Sequence, residues 1–223
     1  MGVIGKISIE EFRALVNGFD QKYVGHWDLW LEKSEGAEKS LEFGRILRSW
    51  QAFRPNVMRR PICEANHEPP YLEGIIKKSD KCIRALSDFD ISGNEPLSSK
   101  ERKALYDLWN ILLQLSFEGK RKTRRNGLAG VVGLSKATLL LTKGRVGPAF
   151  DSEVRRKLCL CEPKSSSQWI DALVLVAEDI KAFQEKNKCK LQEAAPDRFA
   201  KLYAGRLYDM ALGPRGKTHA KRW

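Results

Sequence analysis

The 223-residue chain contains no apolar run approaching the roughly 20 residues that cross a bilayer, so no membrane partner is expected. Its N-terminus lacks the basic, apolar and small-residue order of a secretory signal, which points to the cytoplasm. Cysteine and histidine are sparse. The five cysteines, Cys63, Cys82, Cys159, Cys161 and Cys189, are an odd number without a Cys-x-x-Cys pair, which argues against a disulfide framework and against a zinc or iron–sulfur centre. Cys63 and His67 would supply only two ligands, while His26 and His219 stand alone, so neither a metal nor a cofactor is expected. Acidic residues are also in short supply, 28 against 40 Lys and Arg. The resulting net charge of +12 and pI near 9.5 favour a polyanionic partner, because neutralising phosphates dominates non-specific nucleic-acid affinity.

No convincing apolar–polar alternation marks a strand, and what is present reads as helix throughout. A hydrophobic content of 42% with 9% aromatics is that of a globular protein, and the helical patterning makes the expected class all-α. Ser8 with Glu11 forms a capping-box pattern before Phe12, Leu15 and Val16. Ser98 with Glu101 repeats it before Leu105, Leu108, Leu112 and Leu115 at helical spacing. Further helices are expected from Ser165 and Gln168 through Trp169, Leu173, Val176, Ile180 and Phe183, and from Pro196 through Phe199, Leu202, Tyr203, Leu207 and Met210. Four prolines in residues 54–70 predict a long irregular loop, residues 88–97 a second one, and residues 213–223 a basic, flexible tail.

Residues 130–156 carry the most chemistry. Gly130 and Gly133 bound a turn that opens a helix, where glycine lets backbone approach a phosphate and unpaired N–H groups with a partial positive charge face it. Gly147 and Pro148 then lead to Asp151 at the start of a second helix, where capping hydrogen bonds favour an ionised carboxylate able to face a cation or a water nucleophile. Just upstream, Lys120, Arg121, Lys122, Arg124 and Arg125 place five cations in six residues. Alone such a run is a solvated face, and Asp151 alone is an ordinary cap. Next to a phosphate-binding turn the run reads as backbone-contacting.

The stretch from Leu128 through Ala137, followed by Gly147, Pro148, Asp151 and the Val154-Arg155-Arg156 run, resembles the helix–hairpin–helix DNA glycosylase superfamily. The resemblance implies a bilobal helical bundle with a cleft between the lobes. One lobe would hold residues 98–160 with the hairpin, the other residues 1–97 packed with 161–212. It implies Asp151 as the catalytic carboxylate, stabilising the sugar cation as the base leaves or orienting the water that traps it. It also implies Gly130, Gly133, Ser135, Lys136 and Arg155, with the five upstream cations, as the DNA-binding set. Lyase-type members carry a lysine two residues after the second hairpin glycine. Ser135 holds that position here and Lys136 stands one further on, rotated by roughly 100°, so a glycosylase without an efficient lyase step is implied.

Excision from a duplex requires the nucleotide to leave the stack, and the resulting hole must be filled. Gln51, after the amphipathic Leu41, Ile46 and Leu47, is the wedge candidate. Trp50, Phe53 and Trp109 are candidates for the base pocket, against the commoner role of such aromatics, Trp27 and Trp30 included, as core. The expectation is therefore a monomeric, nucleoid-associated DNA glycosylase that hydrolytically excises a damaged or modified base from double-stranded DNA, in repair or in defence against modified foreign DNA. A DNA-binding module that has lost catalysis and an RNA-binding helical protein are the competing readings.

Overall fold

The computed structural model describes residues 2–52, 71–93, 97–115 and 129–216. Among these the expected all-α class holds. There are ten α-helices, no strand, and a single isolated bridge between Phe19 and Arg215. The helices are α1 (Ile9–Asn17), α2 (Gln21–Lys33), α3 (Lys39–Ser49), α4 (Tyr71–Ala85), α5 (Ser99–Leu112), α6 (Val131–Leu141), α7 (Ser152–Lys157), α8 (Ser166–Asn187), α9 (Leu191–Ala194) and α10 (Ala204–Leu212).

The starts of these helices are written in local chemistry. Ser8 and Glu11 exchange both bonds of a capping box ahead of α1, and Ser98 and Glu101 do so ahead of α5. Ser165 accepts the Gln168 N–H ahead of α8, and Asp151 accepts the Val154 N–H ahead of α7. The helix expected to run on from Pro196 is instead broken. A 3-10 turn spans Asp197–Phe199, closed by Phe199 N–H on the Pro196 carbonyl at 2.7 Å, and the chain is extended at Tyr203 before α10 begins. The break lets α10 lie with all nine of its residues buried, Arg206 and Asp209 among them.

α6 is the centre of the molecule. Ten of its eleven residues are buried, the pattern of a helix enclosed on every side rather than one with a wet face. It packs against α3 and α5, while α10 packs against α1, α7 and α9. Buried side chains from residue 4 to residue 212 join in one contiguous core, which includes helices from both of the expected lobes. The N-terminal segment is tied to α8 by Asp179, whose carboxylate accepts the N–H groups of Val3, Ile4 and Gly5 and the Tyr208 hydroxyl. The first residues of the expected flexible tail are also held. Asp20 N–H donates to the Pro214 carbonyl, Gly216 N–H to the Gly18 carbonyl, and the Arg215 guanidinium caps the Leu15 and Ala211 carbonyls. The proline-rich loop at 54–70 and the cation run at 120–125 lie outside the described residues.

Candidate functional site

The site grows from the loop between α6 and α7. α6 ends by turning left-handed at Lys143 and Gly144, with φ of 51° and 83°, and Gly144 N–H bonds back to the Leu139 carbonyl at 2.8 Å. The loop then runs against the start of α10. A Cβ on Gly205 would sit 2.4 Å from the Gly144 carbonyl oxygen and 2.7 Å from Gly147 Cα, so two backbones touch where only glycine fits. Two further bonds fix the last residues. Ala149 N–H donates to Asp209 Oδ1 at 3.0 Å, and Phe150 N–H donates to Ser135 Oγ at 2.8 Å. Ser135 in turn donates to the Val131 carbonyl at 2.7 Å. Asp151 follows at once, so its backbone is set from α6 and α10 together while its own Oδ1 caps α7 at 3.0 Å from Val154 N.

Lys136 is not a surface lysine. The sequence reading made it a phosphate contact, but it is 6% exposed and its Nζ donates to the Trp50 carbonyl at 2.5 Å. The physical reason is the enclosure of α6, which packs on α3 and brings Lys136 into one cavity with Trp50, Arg206 and Asp209 instead of solvent. Burial pushes the Lys136 amine below the usual lysine range, and Asp151 and then Asp209 pull it back up. Lys136, Asp151, Tyr23, Trp50, Arg206 and Asp209 wall one cavity of about 10 Å³, room for about one water.

The wall that backs on the loop is a buried cation in an aromatic cage. Arg206 Cζ lies 4.5 Å from the Trp27 ring centroid, 4.9 Å from that of Phe19 and 5.6 Å from that of Trp50. Its Nη1 donates to Asp209 Oδ2 at 2.6 Å and its Nη2 to the Tyr23 carbonyl at 3.2 Å. Burial raises the Asp209 carboxyl and the Arg206 guanidinium lowers it again. Burial also raises the Tyr23 hydroxyl, with Asp20, Asp151 and Asp209 adding to the effect.

The other expected site residues fall as follows. Gly130 is the N-cap of α6 in extended conformation and Gly133 lies within the helix, so the two glycines bracket a first helical turn and not a separate tight turn. Ser135 is buried behind Asp151 as the hydroxyl relay described above. Arg155 is tied to its own chain, by Nε to the Asp151 carbonyl and by an ion pair of 3.9 Å to Glu162. Trp50 is buried with its Nε1 on His26 Nδ1 at 3.2 Å, and its backbone reaches the cavity through Lys136. Gln51 is exposed beside it, left-handed at φ 49°, where the chain leaves α3. Trp109 is a core residue, packed on Trp169 with ring centroids 5.6 Å apart, and Trp30 bonds the Leu140 carbonyl. Phe53, Lys120, Arg121, Lys122, Arg124 and Arg125 lie outside the described residues.

Sequence reasoning missed Tyr23, Arg206 and Asp209. The one signal for the last two was their spacing, three apart on a helix whose remaining residues are mostly apolar, which fits a pair that satisfies itself inside. Among the described residues no group of His, Cys, Asp and Glu could hold a metal ion, and no helix is long and apolar enough to cross a membrane. Comparison of the chain with protein-family models, with curated proteins and with solved structures finds no match.

Proposed function

We propose that this chain is a DNA glycosylase that excises a damaged or modified base from duplex DNA, acting as a monomer in the cytoplasm. The observation that carries the reading is the meeting of the half-buried Asp151 and the buried Lys136 in one small cavity, together with the resemblance of residues 128–156 to the helix–hairpin–helix glycosylases. As the bond from C1′ to the base breaks, its electron pair leaves with the base and positive charge develops on the sugar. A carboxylate fixed by a helix cap and by two backbone anchors one and two residues upstream is preorganised against that charge. DNA would be held by the start of α6 and by the cations at 120–125.

Two nucleophiles are available in this reading. Water oriented by Asp151 would give up a proton and leave an intact abasic site. Alternatively, the neutral Lys136 amine would form a bond to C1′, lose a proton, and become a Schiff base when the sugar ring opens. The sequence position of Lys136 favours water. Its burial next to Asp151 favours the amine, because desolvation raises the share of the unprotonated form that can attack. A non-catalytic DNA-binding protein is the other reading, and the cavity volume favours it, since about 10 Å³ admits no base unless the site opens around the nucleotide.

The deciding experiment incubates the chain with genomic DNAs carrying different base modifications and assays released base by mass spectrometry, with Asp151→Asn as control. Release that depends on Asp151 supports excision. Duplex binding without any release leaves the binding-module reading, and preference for RNA over duplex DNA abandons both.

A further inference from the structure

Asp209 touches both halves of the site. Its Oδ1 accepts the N–H of Ala149, two residues before Asp151, and its Oδ2 accepts from Arg206. The guanidinium of Arg206 lies against the Trp50 ring, and the carbonyl of that same Trp50 seats the Lys136 amine. One ion pair thus holds the backbone that presents Asp151 and the residue that seats Lys136. Stability alone is a weak reason for such a pair. Buried ion pairs are often matched or bettered by apolar residues of similar volume, because desolvating two charges consumes the attraction between them. Arg206 and Asp209 nonetheless lie in α10 among seven other buried residues, with Arg206 1% and Asp209 5% exposed.

We infer that Asp209, acting with Arg206, is the positioning residue of this site: it fixes the loop of residues 144–151 against Trp50 and holds an anion beside the Lys136 amine. The consequence for rate rests on the glycosylase reading above, whereas the consequence for Lys136 does not. The groups facing the amine are Asp151 ahead of α7, Asp209 and Arg206 on α10, Tyr23 on α2 and the Trp50 carbonyl after α3. Of these, Asp151 and Asp209 favour its protonated form.

The test is an NMR titration of the full chain labelled with ¹³C at lysine Cε, with the Lys136 signal assigned by its loss in Lys136→Gln. Asp209→Asn keeps the shape of the side chain and an acceptor for Ala149 N–H while removing the anion. We expect the Lys136 midpoint to fall by about one pH unit in Asp209→Asn. Because asparagine keeps the Ala149 anchor, single-turnover excision should fall less in Asp209→Asn than in Arg206→Met/Asp209→Leu, which removes that anchor, with duplex affinity unchanged in both. A merely structural role would lower Tm and leave the midpoint where it was. An unmoved midpoint in folded Asp209→Asn overturns the inference whatever the activity. A moved midpoint in a protein whose wild type releases no base upholds the positioning and sinks the glycosylase reading instead.

Should Asp209→Asn fail to fold, the double variant Arg206→Met/Asp209→Leu leaves neither charge unpaired and is the substitute. There, hydrogen exchange at the Ala149 amide should speed up at least about 10-fold, the loss of one buried hydrogen bond. Unchanged exchange at Ala149 overturns the inference.

Discussion

Lys136 and Trp50, 86 residues apart in sequence, are joined by a hydrogen bond of 2.5 Å from the lysine Nζ to the tryptophan carbonyl. The bond fastens the middle of α6 to the residue that follows α3 and keeps an amine in the interior, where an unpaired charge would be expensive. Two carboxylates, Asp151 and Asp209, offset part of that cost, though burial still outweighs them.

Asp151→Asn should fold and bind duplex DNA as the wild type does, because asparagine caps a helix about as well as aspartate. Base release should fall by at least ~100-fold, since the charge that faces the developing cation is gone. Release at the wild-type rate would leave Asp151 as the cap of α7 and nothing more.

Lys136→Met separates the two nucleophiles. If the amine attacks the sugar, borohydride traps wild-type protein on DNA and traps none of the variant, while trapping that persists in the variant, or never occurs with an excising wild type, assigns the attack elsewhere.

The same substitution carries a pH signature. Burial lowers the folded-state titration of Lys136 below the ordinary lysine value of 10.5, so between those points the unfolded chain holds more protons than the folded one. The contribution of Lys136 to stability therefore rises with pH across that window. Urea midpoints at neutral pH and near pH 10 should show wild type gaining on Lys136→Met, and a difference that is flat or of opposite slope contradicts a depressed amine.

Gly205→Ala tests the contact that fixes the loop. The added Cβ would lie 2.4 Å from the Gly144 carbonyl oxygen, and backbone cannot give way as a side-chain tip can. We expect a loss of about 1–3 kcal/mol in stability and a displaced Asp151, so base release should fall even below the melting transition. An unchanged Tm would show that the loop and α10 are not in contact.

Neutralising Arg124 and Arg125 together should weaken binding to all duplexes alike and reduce the slope of log affinity against log salt by about two. Sequence preference should not move. An unchanged slope means that this part of the cation run faces solvent.

The all-α class was legible along the chain because its signals are local. Capping boxes at Ser8 and Ser98, the cap at Ser165 and apolar spacing at 3.6 residues act within a few positions of themselves, and α1, α5 and α8 start where these signals put them. Asp151 as the cap of α7 was legible for the same reason. Tertiary structure alone decided which polar groups meet. Lys136 reads as a cation on a helix surface until α3 and α10 close over it. Arg206 and Asp209 drew no notice in the sequence, and become a buried pair only because the chain breaks after Phe199 and sinks α10 into the core. Enclosure comes from helices distant in sequence, and whether a lysine, an arginine and two aspartates face water or one another depends on that enclosure, which no local spacing encodes.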